Sequence, residues 1–408
     1  MTSRLATVVI YFEEVPDTLG QRGITDPPQY RGSAITMSPP SELWCVHIPH
    51  FMATSWLPIC GFGRPGARRS PTTGANMSKT VTPASYIRAE VDGRFAVFQQ
   101  RAGGKVNEFY LISRPVPTDE QPVVRMNRDT LYGGGVIDTA QGARVYVPEV
   151  ADGRYISLMV IDNDHYTVDI FHEPGWHEIK SPTRYCVAVP RVELHDMRDE
   201  AEIARVVEVL RQFEIDADSA ENFAPADWDY DSMFALRAKY EAEFRTCTQF
   251  PSGWMGRRGE VDEDTRHLAV AGAWGLFPEH EAVYINYIGP TGAPKAYTAT
   301  YTVPPCDAFW SIAVYGADAF FHSENATLSA ATTHFNDDGT FTVYFGSADV
   351  VGDKPNRLDV TDGWNFLMRV YQPADSVGAA AGVGDNRDGL PIGRPERMSQ
   401  CPSRIRKS

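Results

Sequence analysis

The chain has 408 residues, 43% hydrophobic and 22% charged, with a net charge of −15. That is enough for two or three domains of the usual ~100–200 residues, each with a buried core. The acidic balance argues against nucleic acid or an anionic membrane surface as a partner, since either needs a basic patch. No apolar run approaches the ~20 residues that span a bilayer.

The charge is unevenly placed. Residues 1–76 carry a net +1 and the remainder −16, and the first 76 residues hold nine of the 29 prolines. They show no sustained period of 2 or 3.6, so this head is expected to be a disordered extension or sequence upstream of the natural start, with Met77 as an alternative initiator. The opening LATVVIYF runs into Glu13-Glu14 without a small-residue cleavage site, so it does not read as a signal peptide. Cys45, Cys60, Cys186, Cys247, Cys306 and Cys401 are scattered and form no Cys-x-x-Cys pair, which excludes a zinc ribbon or a dithiol redox motif. Such sparse usage suits a reducing compartment, and a cytoplasmic location is the expectation.

Regular structure is predicted to begin after Met77. In SYIRAEVDGRFAVFQQ, Tyr86, Ile87, Val91, Phe95 and Phe98 make one apolar helix face, and Gly103-Gly104 ends it. From Val123 to Val192 the signals are those of strands. ARVYVPEV, GRYISLMVID, HYTVDIFHE and RYCVAVPRVEL are rich in Val, Ile, Tyr and Phe and are separated by turn residues.

Residues 196–280 read as a helical connector. Asp199 with Glu202 resembles a capping box ahead of an Ile203–Phe213 stripe, and further helices are predicted over about 232–244 and 264–276. Strands return in EAVYINYIG, AYTATYTVP, FWSIAVYG, TFTVYFG and WNFLMRVYQP. The order predicts a mainly β protein with helical additions: two antiparallel β-sandwich or jelly-roll-like domains over 77–195 and 281–374, joined by the helical segment. Residues 375–408, Gly/Ala/Pro-rich and then basic, read as a flexible tail.

Familiar catalytic signatures are missing. GFGRPG at 61–66 fits Gly-x-Gly-x-x-Gly, but it has Pro65 inside it and no helix after it to hold a pyrophosphate, so no dinucleotide cofactor is expected. There is no Gly-x-Ser-x-Gly elbow, His-Glu-x-x-His pair or phosphate loop.

Two polar stretches interrupt the apolar strand sequence: Arg125-Met126-Asn127-Arg128-Asp129-Thr130-Leu131-Tyr132, and Asp162-Asn163-Asp164-His165-Tyr166. Ionisable groups set against apolar strands are where pKa values shift and charge pairing strengthens. His165 as general base with Asp129 as its orienter is the catalytic candidate. Arg125, Asn127, Tyr132, Asp162, Asp164 and Tyr166 are ligand-binding candidates, together with Trp310 as an aromatic wall, although core packing is the ordinary role of Trp310, Tyr315, Trp364 and Tyr371. A structural reading competes with both, because DNDH makes a good turn and Asn127-Arg128-Asp129 can tie a loop down. His165, Asp169, His172 and His177 are the nearest approach to metal ligands, but on a strand His172 faces away from the first two, and no metal is assigned.

NRDTLY, IDNDHYT, PPCDAFWSIAVYG and DGWNFLMRVYQP, in this order and spacing, resemble the bacterial and fungal proteins that pair domains of unknown function 1254 and 1214. The likeness runs from about Tyr86 to Pro373. It implies two β-sandwich-type domains with helical additions and brings no activity with it. HSENATLSAA, after Phe321, departs from the family's usual Asn-Pro-containing segment.

The function expected from these features is small-molecule binding in a cleft formed by the two polar stretches. A cofactor-independent acid–base enzyme of hydrolase or isomerase type is the catalytic form of that reading, and a homo-oligomer is compatible with it. The alternative is a non-catalytic structural or protein-interaction module whose polar cluster serves only the fold.

Overall fold

The computed structural model describes residues 11–14, 78–121, 124–247, 253–289, 296–375 and 377. The head, apart from 11–14, the GFGRPG segment and nearly all of the tail lie outside the described residues. The protein is mainly β, with several antiparallel sheets and few helices.

In chain order the elements are β1 (Tyr11–Glu14), β2 (Lys79–Thr80), α1 (Tyr86–Arg101), β3 (Tyr110–Leu111), β4 (Thr130–Asp138), β5 (Ala143–Val147), β6 (Ile156–Asp162), β7 (Thr167–Phe171), β8 (Gly175–Glu178) and β9 (Tyr185–Glu193). There follow α2 (Glu200–Leu210), β10 (Glu214–Ala217), β11 (Trp228–Asp229), α3 (Tyr230–Phe244) and α4 (Arg266–Gly272). The chain closes with β12 (Ala282–Ile288), β13 (Tyr297–Tyr301), β14 (Trp310–Tyr315), β15 (Thr327–Ser329), β16 (Phe341–Phe345), α5 (Ala348–Val351), β17 (Arg357–Leu358) and β18 (Asn365–Tyr371).

The first unit packs the sheet β3-β4-β9-β6-β7 against the sheet β10-β5-β8. Period-2 alternation decides which side chains enter this core. Leu158, Val160, Ala188 and Val192 meet Val145 and Val147 of the smaller sheet, and Ile203, Val206 and Leu210 of α2 close the layer. Asp199 caps α2 by accepting from the Ala201 amide at 2.9 Å. Glu202 takes no part in a capping box; its carboxylate pairs instead with Arg154 and Arg205.

The run Gly133-Gly134-Gly135 lets other backbone lie against β4. A Cβ on Gly134 would overlap the Phe98 ring of α1, and one on Gly133 or Gly135 would run into the carbonyl of Tyr110 or Glu108. The β4–β9 ladder also lacks pairs between Tyr132↔Arg191 and Gly135↔Ala188. Pro190 of β9 falls in that stretch and has no amide to donate.

The second unit packs the sheet β12-β18-β14-β15 against β1-β13-β16-β17. Its core holds Trp310, Ile312, Val314, Phe341, Phe345, Trp364 and Phe366. Trp310 stacks on Phe341 at 4.3 Å between ring centroids and is 2% exposed. Here α3 and α4 pack against α1 rather than standing alone, around Tyr86, Tyr240, Trp254 and Leu268. The predicted helix over 264–276 is shorter than its apolar pattern. Gly272 lies against the Phe244 ring, the chain leaves the helix at Ala273, and Gly275 takes a positive φ of 72°. Among the described residues no helix is long and apolar enough to cross a membrane.

Candidate functional site

The two polar stretches sit at opposite ends of one sheet. The Asp129 carbonyl accepts from the Leu194 amide at 2.9 Å, just beyond β9, whereas Asp162 pairs with Cys186 at the other end of that strand. At about 3.3 Å per residue, positions 186 and 194 are separated by roughly 25 Å. The His165–Asp129 dyad therefore does not exist, and the single cleft expected from both stretches is not formed.

At the Asp162 end the polar groups serve the turn. The Asp162 carboxylate accepts from the amides of Asp164 (2.8 Å) and Tyr166 (3.0 Å) and from Arg258 (2.7 Å). Asp164 pairs with Arg88 and Arg258, and Tyr166 donates to Glu263 at 2.6 Å and lies under Arg258 and Arg266. His165 adopts a left-handed φ of 65°, accepts at Nε2 from the Gly275 amide at 3.2 Å and rests against Trp274. Burial, reinforced by Arg266 and Arg94, pushes its pKa down to about 3. A general base works best with a pKa near the operating pH, so this imidazole is unsuited to the role given to it from sequence. Asp162, Asp164, His165 and Tyr166 are thus engaged in tying this turn down, and His165 lacks the orienting Asp129 expected for it as a base.

At the Asp129 end the two β units meet through polar rows. In the first sheet Tyr132, Arg191 and Ser157 stand side by side on β4, β9 and β6. In the second, Tyr284, Arg369, Ser311 and Ser329 stand side by side on β12, β18, β14 and β15. Asp129 lies between the rows, 2% exposed, accepting from Ser311 Oγ and from the Tyr371 hydroxyl at 3.2 Å. Asn127 fixes this loop: its Oδ1 accepts from the Asp129 amide at 2.6 Å, and its Nδ2 donates to Thr130 (2.9 Å) and the Tyr371 hydroxyl (3.0 Å). Arg125 reaches Asn286 at 2.8 Å. Of the sequence candidates, Arg125, Asn127, Asp129 and Tyr132 are brought together here, while Trp310 points into the opposite core and forms no cleft wall.

Sequence reasoning missed Arg191 and Arg369. The Arg191 guanidinium donates to Thr130 Oγ1 at 3.2 Å and lies 5.4 Å from the Tyr132 ring and 5.0 Å from that of Phe277, with its Nε unpartnered. Arg369, 5% exposed, donates to the Arg125 carbonyl (2.9 Å) and the Tyr315 hydroxyl (3.1 Å), with one Nη unpartnered. Asp129 acts on both electrostatically, yet neither is in an ion pair among the described residues. That sets them apart from Arg128, Arg154, Arg237 and Arg266, each of which binds a carboxylate directly. Burial raises the pKa of the nearby Glu193 carboxyl. The signal in the sequence was a lone arginine inside each of two apolar strands, VAVPRVE and NFLMRVY.

The seam is not sealed. Tyr132, Arg191, Tyr284, Arg125 and Asn286 are only half-buried around the buried Asp129, Ser311, Arg369 and Tyr371. Burial raises the pKa values of Tyr132 and Tyr284, so both hydroxyls stay neutral. A small apolar hollow of about 40 Å³, lined in part by Leu276, Phe277 and Tyr284, adjoins it. Among the described residues no group of three or more His, Cys, Asp or Glu side chains could hold a metal ion. His172 is engaged instead between the Ile156 carbonyl and Glu281, and His177 with the Glu173 carbonyl.

Comparison with known proteins agrees with the motif blocks. A family model described as a protein of unknown function (DUF1254) matches residues 106–217, and a second, described as a protein of unknown function (DUF1214), matches residues 290–375. The chain carries the pairing that its sequence blocks resemble. The crystal structure of the VPA0106 protein from Vibrio parahaemolyticus is 18% identical, with a TM-score of 0.55, and the match covers 74% of this chain and 96% of that one. A putative uncharacterized protein from Burkholderia cenocepacia is 16% identical over 72% of this chain and 85% of its own, with a TM-score of 0.43. The first likeness shows the fold alone. No curated protein matches the chain.

Proposed function

We propose, for this chain pairing two families of unknown function, that it binds a small carboxylate in the seam between its two β units. The observation that carries this reading is the presence of the half-buried Arg191 and the buried Arg369, neither of which makes an ion pair among the described residues and each of which keeps a buried N–H without a partner. An ionised group held away from water is costly unless it is paired, and a planar guanidinium matches a carboxylate geometrically. A carboxylate head would take the two unsatisfied N–H groups. A short apolar part would lie toward Phe277 and Tyr284, as in ligand sites where a few polar anchors orient a mostly apolar molecule.

The acid–base form of the expectation loses its dyad to the geometry, so binding alone is proposed. A reducing, cytoplasmic setting fits the free thiols of Cys186, Cys247 and Cys306.

Thermal shift and calorimetric titration with acetate, propionate and butyrate, against sodium chloride at matched ionic strength, test the reading. Binding to the native state raises Tm. Arg191→Met and Arg369→Met should each weaken binding by tenfold or more, since a hydrogen bond to a charged group is worth ~1.5–3 kcal/mol. Equal binding by both variants, or a shift no larger than that given by chloride, would refute it.

A further inference from the structure

Asp129 also borders a cleft of about 350 Å³ whose lining includes neither Arg191 nor Arg369. One wall is the segment Leu194–Arg198 that leaves β9; the other comes from residues 325–334 and 353–358 of the second unit. Ser329 Oγ donates to the His195 carbonyl at 2.7 Å and fixes the spacing of the walls. The volume lies within the ~300–1,000 Å³ range of small-molecule sites.

The lining carries more permanent cations than acids, in a chain whose net charge is −15. Arg128, Arg198, Lys354 and Arg357, with the imidazoles of His195 and His334, stand around Asp129, Asp196 and Asp353. Two of the acids are occupied: Asp129 by Ser311 and Tyr371, and Asp196 by the Arg198 amide at 2.9 Å. Arg128 and Arg357 have their own carboxylates, Glu324 and Asp359. Among the described residues Arg198 and Lys354 do not: Arg198 holds the neutral Asn325 amide, and Lys354 stands 5.9 Å from the Tyr344 ring. These two cations come from opposite walls. At the floor, the 1% exposed Arg128 keeps its Nε without a partner.

We propose that this cleft is a second site, lined by neither Arg191 nor Arg369, that binds a phosphorylated small molecule. A phosphoryl group carries about two negative charges and three acceptor oxygens, and it is best held by cations converging from several directions. Arg198 and Lys354 supply that convergence, and the hydroxyls of Thr327 and Thr332 with the amide of Asn325 provide neutral contacts for the rest of the ligand. A carboxylate needs one fork and is met better by the arginines of the seam.

Calorimetric titration of the full chain with glucose 6-phosphate, inorganic phosphate, glucose and matched sodium chloride tests this. Both phosphates should bind, with the sugar phosphate tighter, while glucose and chloride should not. Arg198→Ala combined with Lys354→Ala should weaken phosphate binding by tenfold or more with an unchanged far-UV circular dichroism spectrum, since both side chains are exposed. Arg191→Met should leave it intact. Phosphate binding no better than chloride, full binding by the double variant, or loss of binding in Arg191→Met would each overturn the second site. The last outcome would place phosphate in the seam, and a carboxylate titration unaffected by the double variant keeps the two sites distinguishable.

Discussion

Asp162 and Asp129 close opposite ends of the same three strands, and their surroundings treat charge in contrary ways. At the Asp162 end every cation finds an acid: Arg88 and Arg258 hold Asp164, Arg258 also holds Asp162, and Arg266 holds Glu263. At the Asp129 end Arg191 and Arg369 feel the charge of a carboxylate that already serves Ser311 and Tyr371, and neither makes an ion pair among the described residues. A polar stretch that satisfies itself is a tie. One whose donors exceed the protein's own acceptors is prepared for something from outside.

The strongest way to break this contrast is to disturb the tie. Asp162→Ala removes the acceptor for two backbone amides and one of the two carboxylates that hold Arg258, and should lower stability by ~2–3 kcal/mol. Urea unfolding measures this. Carboxylate binding at the far end of the sheet should be unchanged, and a loss of both together would show that the ends are not independent.

Asp129→Asn should act in the other sense. Ser311 and Tyr371 donate to different oxygens of Asp129, so only one of them keeps its acceptor, and the stability cost should be ~1–3 kcal/mol. With its charge gone, Arg191 and Arg369 should bind a carboxylate about tenfold more tightly, a change of ~1.4 kcal/mol. Weaker binding in this variant would make Asp129 a ligand contact rather than a competitor for the arginines.

The smallest effect is a pH dependence where the units meet. His172 Nδ1 faces the Ile156 carbonyl at 2.7 Å and its Nε2 faces Glu281 at 3.0 Å, so both nitrogens have acceptors. Burial works against its charge, but the hydrogen bond and charge of Glu281, with the Ile156 carbonyl, outweigh it and raise the pKa. A raised histidine pKa contributes stability that is fully present below the unfolded value of ~6.5 and is lost as pH rises through the folded value. The gap in unfolding midpoint between wild type and His172→Gln should therefore be widest near pH 5 and narrow toward pH 9. A gap that stays constant over that range would remove the imidazolium from the interface.

Much of the secondary structure was legible in the sequence. Strands such as WSIAVY and NFLMRVY stood out as short apolar runs and are buried on both faces, and helix α1 stood out from Tyr86, Val91 and Phe95 with Gly103-Gly104 after it, although it also buries Glu90 and Asp92. β4 was not, since Gly133-Gly134-Gly135 erases the alternation that marks a strand, for a reason visible only once Phe98 and residues 108–110 lie against it. The candidate site was half legible. Asn127 and Asp129 stood out as polar groups in an apolar setting, but which partner each would meet depends on strand order. His165 and Asp129 lie on segments of one sheet, yet β9 runs between β4 and β6 and carries the two stretches to opposite ends. Arg191 and Arg369, nearly 180 residues apart in the chain, both come within the electrostatic reach of Asp129 only because separate sandwiches meet.

That meeting of sandwiches has a practical consequence for dissecting the molecule. The row Tyr132-Arg191-Ser157 belongs wholly to the first unit and the row Tyr284-Arg369-Ser311 wholly to the second, while Asp129 is contributed by one and hydrogen-bonded by the other. Each half produced alone would turn a polar strip built for a neighbour toward water, and neither would hold both arginines. The smallest portion able to keep the seam is one that includes both units, so complementation by mixing the separate halves becomes a direct assay of the contact itself.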